Sequence, residues 1–142
     1  MAGPRIVIDT NVLVAALRSN QGASFRLISL IPHGKFKINL SVPLALEYEE
    51  AALNLVGKVP LSASDVRDII GYLCKVAHQW PIYFLWRPLL RDPEDEMVLE
   101  LAVTSNSEFI VTFNIKDFAQ ARQFGVKVCT PKEFLAIIGE LP

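Results

Sequence analysis

The stretch that decides the fold is Arg5-Ile6-Val7-Ile8-Asp9-Thr10-Asn11, in which a β-branched run stops at small polar residues. Apolar residues resume over 12–17 with a spacing that a helix accommodates. A buried parallel strand followed by a tight turn and a helix has this pattern. Asp9 would then lie at the carboxyl end of the strand, where open α/β sheets bind ligands, so it is a candidate site residue. A simple N-capping role for Asp9 or Thr10 is equally compatible with this stretch alone.

Strand and helix patterns alternate along the rest of the chain. β-rich or alternating runs predict further strands over 35–40, 82–86, 109–112 and 126–128. Helical spacing, capping residues and early prolines predict helices over 24–30, 43–55, 62–78, 97–103 and 118–123, with a terminal helix opening at Thr130. This alternation implies an α/β fold with a mostly parallel sheet covered on both faces. No stretch has the composition of a linker, so we expect residues 1–142 to form one domain.

Composition limits the class of protein. The chain has 142 residues, of which 51% are hydrophobic and 20% charged, and this suits a compact globular domain. A formal net charge of −1 argues against a simple electrostatic binder of nucleic acid. It argues less against a nuclease, because a bound divalent cation supplies positive charge locally.

Cysteine usage and hydropathy indicate the compartment. Cys74 and Cys129 form no CxxC motif and lie among apolar neighbours, which predicts buried thiols in a reducing compartment. The amino terminus lacks a basic and apolar signal pattern, and no apolar run approaches the roughly 20 residues of a membrane-spanning helix. We therefore expect a cytoplasmic protein with no membrane partner.

One acid falls on a stripe that is otherwise apolar. In the helix after Pro43, Glu47 shares its spacing with Leu44, Tyr48, Ala51 and Leu55. A carboxylate in that position loses hydration unless something pairs with it. The structural alternative is that Tyr48 marks a solvent-exposed edge of the stripe and that Glu47 reaches a nearby lysine. We favour a functional Glu47.

A second acid stands on the helix that follows Arg91-Asp92-Pro93-Glu94-Asp95-Glu96. With Pro93 at the first helical position, Asp92 is the N-cap and Asp95 shares a face with Val98, Leu99 and Ala102. First-turn acids also complement the helix dipole at any exposed helix start, which is the alternative explanation. The spacing singles out Asp95 as the acid that points inward.

A polar cluster, Thr112-Phe113-Asn114-Ile115-Lys116-Asp117, directly follows a buried strand. It would lie at the same sheet edge as Asp9 in a doubly wound sheet, although Asp117 could simply cap a helix. Carboxylates that converge without histidine or cysteine favour Mg²⁺ or Mn²⁺ over zinc. His33 and His78 are isolated and receive no metal role. A few acids that hold such a cation are the machinery of phosphodiester chemistry.

At this point the sequence resembles the PIN-domain family over essentially the whole chain. The matching segments keep the family's motif order and are Ile6-Val7-Ile8-Asp9-Thr10-Asn11-Val12-Leu13, Glu47-Tyr48, Arg91-Asp92-Pro93-Glu94-Asp95-Glu96, Leu99-Glu100-Leu101-Ala102, Ile110-Val111-Thr112, Asp117-Phe118 and Thr130-Pro131-Lys132-Glu133-Phe134-Leu135. The likeness is greatest to small prokaryotic PIN proteins regarded as toxins of toxin–antitoxin pairs.

The resemblance implies a three-layer α/β/α sandwich with a metal-dependent ribonuclease site. Asp9, Glu47 and Asp95 match the family's acidic metal-binding positions, and Asp117 matches a further acid. Asn114 stands where the family often has an aspartate, so it offers an oxygen but no charge. The resemblance further implies that Thr10, Asn11 and Thr112 support the site by hydrogen bonds.

The leading hypothesis is an endoribonuclease that uses Mg²⁺ or Mn²⁺ held by Asp9, Glu47 and Asp95, with Asn114 or Asp117 completing the set. Arg18, Arg91 and Lys116 are candidates for phosphate contacts because they lie near the motif segments. An aspartyl phosphatase of the haloacid-dehalogenase type would need an acid at Asn11, so it ranks low. A PIN-like module that binds RNA or protein without cleavage is the stronger alternative, supported by Asn114 alone.

Partners follow from the family resemblance rather than from the residues. An RNA substrate, a separately encoded antitoxin and a homodimer are expected. The apolar stretch over 82–86, together with Trp80, is a candidate dimer interface, although a buried strand explains it equally well.

Overall fold

A computed structural model describes residues 3–81 and 93–141. Its strands are β1 (Arg5–Ile8), β2 (Lys37–Leu40), β3 (His78–Gln79), β4 (Phe109–Val111) and β5 (Lys127–Cys129). Its α-helices are α1 (Thr10–Arg18), α2 (Ala23–Ser29), α3 (Val42–Leu53), α4 (Ala63–Val76), α5 (Pro93–Thr104) and α6 (Pro131–Ile137). Two 3-10 helices cover Ile31–His33 and Ile115–Phe124.

The strands in the described ranges form one parallel sheet in the order β3-β2-β1-β4-β5. The chain steps outward from β1 to β3 and then returns to the other side of β1, so right-handed crossovers put helices on both faces. α1 packs against α2 and α3, and α3 against α4. α5 crosses β1, β2 and β4 and meets the 3-10 helix Ile115–Phe124. The predicted three-layer α/β/α sandwich is confirmed.

The core follows from the strand sequences. All three residues of β4 and the last three of both β1 and β2 are buried, as expected for parallel strands covered on both faces. Phe134 of α6 closes one layer and meets the rings of Phe36 and Phe109 edge-on at 5.5 Å. Such contacts between aromatic edges and faces favour a fixed packing of the core.

Helix starts match their predicted capping residues. Ser41 caps α3, Ser62 and Asp65 form a capping box on α4, and Thr130 and Glu133 form another on α6. In each box the two residues satisfy each other's backbone N–H groups, which stabilises the helix end.

Several predicted boundaries are wrong by a few residues. α3 ends at Leu53 rather than at Leu55, and its buried stripe contains Ala52 instead of Ala51. α4 ends at Val76, so His78 belongs to β3 rather than to a helix. The predicted helix over 118–123 is part of the longer 3-10 segment Ile115–Phe124, whose backbone is kinked at Phe118. Helical spacing alone does not show where a helix ends and a two-residue strand begins.

The candidate dimer interface consists of the stretch over 82–86 and Trp80. The strand predicted over 82–86 lies outside the described residues, as does any interface that it would form. Trp80 is half-buried and its indole N–H donates to Asn39 Oδ1 at 2.8 Å.

Cys129 is a buried free thiol whose pKa is raised by burial to about 12, whereas the free Cys74 is half-buried. No helix within the described ranges has the length and apolar character to cross a bilayer.

Candidate functional site

Asp9 lies at the point where the strand order reverses. It follows β1, whose neighbours are β2 and β4, and its backbone N–H donates to Val111 O of β4 at 2.9 Å. Its Oδ1 accepts from Thr10 N at 2.8 Å, so Asp9 is the N-cap of α1. The same carboxylate therefore caps a helix and lies at the carboxyl end of β1, on the sheet edge where open α/β sheets commonly bind ligands.

Thr112 connects the end of β4 to Asp9. Its fully buried hydroxyl donates to Asp9 Oδ2 at 2.8 Å. A hydroxyl has one proton, so Thr112 Oγ1 acts as acceptor for Asn114 N at 3.0 Å and Asn11 Nδ2 at 3.4 Å. Asn11 Oδ1 in turn accepts from Phe113 N at 3.4 Å. This network fixes the orientation of the Asp9 carboxylate and the course of the loop after β4.

α3 is attached to the same end of β1 through Tyr48. The Tyr48 phenol is buried and donates to the carbonyl oxygen of Ile8, the last residue of β1. Burial, and then the nearby charges of Asp9 and Glu47, raise the pKa of Tyr48 well above its usual value, so it remains a donor. The stripe edge at Tyr48 is therefore dry, and the preceding residue, Glu47, is brought beside Asp9.

The surroundings of Glu47 disfavour the charged form of its carboxylate. Burial raises its pKa to about 7, and the carboxylates of Glu94 and Asp9 add to that rise. The nearby Thr10 hydroxyl opposes the shift, but Glu47 Oε2 and Thr10 Oγ1 are both buried without a hydrogen bond of ordinary geometry. Among the described residues only Ser24 Oγ of α2 shares that condition. Buried polar atoms of this kind need an explanation, and a ligand is one.

In the first turn of α5, Glu94 is the acidic residue that raises the pKa of Glu47. Its carboxylate lies within hydrogen-bond reach of Glu47. Asp95 is half-buried on the same turn, and Val98, Leu99 and Ala102 are buried as their spacing predicted. Arg91 and Asp92 lie outside the described residues.

Asn114 and Asp117 occupy exposed positions beside this cluster. Asn114 is linked to Asp9 through Thr112, by way of its backbone N–H. Asp117 lies in the first turn of the 3-10 helix, where its backbone N–H donates to Asn114 O at 3.0 Å. The Asp117 carboxylate makes no hydrogen bond or ion pair with any described residue. The structure thus gathers Asp9 and Glu47 with Glu94, and leaves Asp117 at the solvent-exposed margin.

These residues fit a hard divalent cation by the chemistry of their donors. The buried atoms that lack partners are oxygens, and two neighbouring carboxylates raise the pKa of a third. A cation among them would remove that repulsion and use the free Oε2 of Glu47. Within residues 3–81 and 93–141, no group of three acidic, histidine or cysteine side chains is arranged to hold a metal ion. Mg²⁺ commonly keeps several water ligands and takes only one or two carboxylates, which suits such a set.

Sequence reasoning identified Asp9 and Glu47 but passed over Glu94. A helix that starts at Pro93 gives no internal reason to prefer one first-turn acid to the next, since all complement the dipole. The missing information is the position of α3, which packs against α5 and carries Glu47 to Glu94. The two histidines, His33 and His78, are exposed, as expected.

Comparison with known proteins bears on this arrangement. The PIN-domain family model matches residues 5–116. The fold is similar to that in a crystal structure of VapBC2 from Rickettsia felis bound to a DNA fragment from its promoter, with a TM-score of 0.60 and 15% sequence identity. That likeness covers 87% of this chain and 96% of the other. No curated protein sequence matches. Since the family model spans most of the chain, including β1, α3, α5 and β4, this protein belongs to the PIN-domain family.

Proposed function

We propose that this protein is a metal-dependent endoribonuclease that hydrolyses RNA phosphodiester bonds. The observation that carries the proposal is the meeting of Asp9 and Glu47 at the strand-order reversal of a PIN domain, with Glu47 Oε2 buried and without a partner. An acidic site of this kind attracts a cation and repels a bare phosphate. Cleavage would therefore depend on Mg²⁺ or Mn²⁺.

Asp9, Glu47 and Asp95 would hold the cation, with Glu94 or Asp117 able to contribute a further carboxylate. A divalent ion bound there lowers the pKa of a water and offsets charge on the phosphoryl oxygens. Thr112 keeps Asp9 oriented, and Tyr48 keeps α3 at a fixed distance from β1. Asn114 offers an amide to orient the attacking water without adding negative charge.

We further propose that the protein is the toxin of a toxin–antitoxin pair, with a separately encoded antitoxin as its protein partner. The likeness of its fold to the VapBC2 structure supports this proposal. We also propose a homodimer in the cytoplasm. Analytical ultracentrifugation of the purified chain, alone and after co-expression with the neighbouring open reading frame, tests both partners.

The direct test is cleavage of a mixed pool of single-stranded and structured RNA in Mn²⁺, Mg²⁺ or EDTA, with an Asp9→Asn variant in parallel. Asparagine keeps an oxygen to cap α1 but removes the charge. We expect cutting by the wild type in Mn²⁺, none in EDTA, and a loss of at least about 100-fold in the variant. Cutting that persists in EDTA or in Asp9→Asn would refute the proposal.

A module that binds without cleavage is the second candidate, and Asp117 is the residue that favours it. Its carboxylate is exposed to solvent, and Asn114 adds no charge. This candidate predicts neither cutting nor Mn²⁺ binding by calorimetry at millimolar metal. Asn114→Asp is the informative variant in that case, because it supplies the missing charge next to Thr112.

A further inference from the structure

An open groove runs along the edge of the sheet between β5 and the 3-10 helix Ile115–Phe124. Its volume is about 810 Å³, near the upper end of the range for ligand pockets, so it is larger than a single ion requires. Three of its lining residues are basic, namely Lys116, Arg122 and Lys127, and none is acidic. We refer to it as the basic groove. A shallower depression that shares Ala119 and Arg122 extends it along the helix.

The charge of the basic groove contrasts with that of the whole protein. The chain has 14 Lys and Arg against 15 Asp and Glu, so a concave surface with three cations and no acid is a local departure. The two ion pairs among the described residues are elsewhere, between Glu140 and both Arg26 and Lys35. Lys127 Nζ lies 5.8 Å from the centre of the Phe109 ring, a contact that leaves its charge unneutralised. The groove therefore complements a chain of phosphates.

Along the chain, an exposed aromatic ring lies between Thr112, which contacts Asp9, and the first residue of the basic groove, Ile115. Phe113 is 50% exposed and comes two residues before Ile115, which lines the groove. Its backbone is held by Asn11 Oδ1, and the next residue, Asn114, is held by Thr112, the residue that orients Asp9. An exposed phenylalanine loses the free energy of burial, so a rigid one beside a candidate site suggests a stacking partner.

We propose that Phe113 and the basic groove form a subsite for single-stranded RNA. A base next to the reacting phosphate stacks on Phe113, and the strand continues into the groove, where Lys116, Arg122 and Lys127 bind its phosphates. The direction of the strand rests on the proposed nuclease function, because that function places the reacting phosphate at Asp9. A duplex keeps its bases stacked on each other and offers none to Phe113.

The test measures binding separately from cleavage. Fluorescence anisotropy with a labelled 12-nucleotide RNA in EDTA reports affinity for the full chain when metal-dependent cleavage cannot occur. Phe113→Ala is compared with Phe25→Ala, which removes a ring of similar exposure, 42%, from α2. Lys116→Ala combined with Arg122→Ala is compared with a variant that removes the exposed Lys58 and Lys75.

We expect Phe113→Ala to weaken binding by about 5- to 100-fold, since stacking on an aromatic side chain contributes roughly 1–3 kcal/mol per base. Phe113→Tyr should keep the affinity. The Lys116/Arg122 double variant should reduce the slope of log K against log salt by about 1.4, at roughly 0.7 for each lost phosphate contact. A duplex RNA should be insensitive to Phe113→Ala.

The subsite is overturned if Phe113→Ala binds single strands as tightly as Phe25→Ala does, or if the double variant keeps the wild-type salt slope. It is also overturned if duplex RNA loses affinity equally in Phe113→Ala. Failure of the nuclease proposal would be distinct. A wild type that never cuts in Mn²⁺ but binds single strands through Phe113 keeps the subsite and loses the reaction, whereas cutting with unchanged binding in every variant keeps the reaction and loses the subsite.

Discussion

Two buried polar clusters lie in this domain, and they differ in how completely their hydrogen bonds are made. One is centred on Asn39 of β2. Its amide donates to Ile6 O at 3.2 Å and to Ser107 Oγ at 3.3 Å, and its Oδ1 accepts from the Trp80 indole. Ser107 and Ser105 share a further hydrogen bond of 2.6 Å. Every donor and acceptor of the Asn39 side chain has a partner.

The second cluster, around Asp9 and Glu47, is only partly satisfied. Asp9 has a partner on each oxygen, but Glu47 Oε2 and Thr10 Oγ1 have none, and the charges that raise the pKa of Glu47 are the carboxylates of Glu94 and Asp9. A polar network in which every group has a partner stabilises one packing of the core. A buried group of like charges that lacks partners is typical of a functional site. The comparison indicates that Asn39 stabilises the fold, and it supports our proposal that Glu47 takes part in the chemistry.

The largest expected effect comes from breaking the satisfied cluster. Asn39→Ala leaves the Trp80 N–H, the Ile6 carbonyl and Ser107 Oγ without their partner, and should lower the free energy of unfolding by about 3 kcal/mol. Urea denaturation measures the loss against Asn20→Ala, which changes an exposed asparagine. Cleavage by each folded molecule should stay unchanged. A stability loss below about 0.5 kcal/mol would mean that the network contributes little.

A smaller effect is expected when the hydrogen bond that orients Asp9 is removed. Thr112→Val keeps the shape of the side chain but loses the donor to Asp9 Oδ2 and the acceptor for Asn114 N. We expect affinity for Mn²⁺, measured by isothermal titration calorimetry, to fall about 10- to 100-fold, as for other groups that orient metal ligands. Thr112→Ser should restore it, and Thr104→Val at the exposed end of α5 should have no effect. Equal affinity in Thr112→Val and the wild type would separate Thr112 from the site.

Sequence patterns predicted the two clusters unequally. Asp9 and Glu47 were found because a carboxylate at a strand end and another on an apolar helical stripe are both in positions that exclude water. Asn39 was not found, because an asparagine in a short alternating strand looks like a solvent-facing residue. Its partners come from the loop before β4 and the residue after β3, far away in the sequence.

The fold class followed from the alternation of strand and helix patterns, while details that depend on packing did not. The periodicity of α3 could not distinguish Ala51 from Ala52, since both are close to the stripe and only the position of the neighbouring helices decides. The choice between Glu94 and Asp95 is of the same kind, because they differ by one helical position. The site roles of Asp9, Glu47, Asp95, Asn114 and Asp117 stay predictions until metal binding is measured on their variants.

The smallest expected effect concerns the charge on Glu47 in the absence of metal. Its pKa is about 7 when folded and about 4.5 as the ordinary value, so the folded state binds more protons between those limits. The stability contributed by the protonated form is therefore complete below pH 4.5 and is lost as the pH rises through 7. Glu47→Gln should be more stable than the wild type at pH 8 by about 1 kcal/mol, a value reduced for partial exposure.

The comparison of Glu47→Gln with the wild type sharpens the contrast between the two clusters. The difference in stability should shrink toward pH 4.5, and Glu50→Gln, an exposed change on the same helix, should show neither effect. Added Mn²⁺ should raise the melting temperature of the wild type but not that of Glu47→Gln, because a ligand stabilises only the protein that binds it. If Glu47→Gln is instead less stable than the wild type in EDTA at pH 8, Glu47 supports the fold as Asn39 does, and the distinction between the clusters fails.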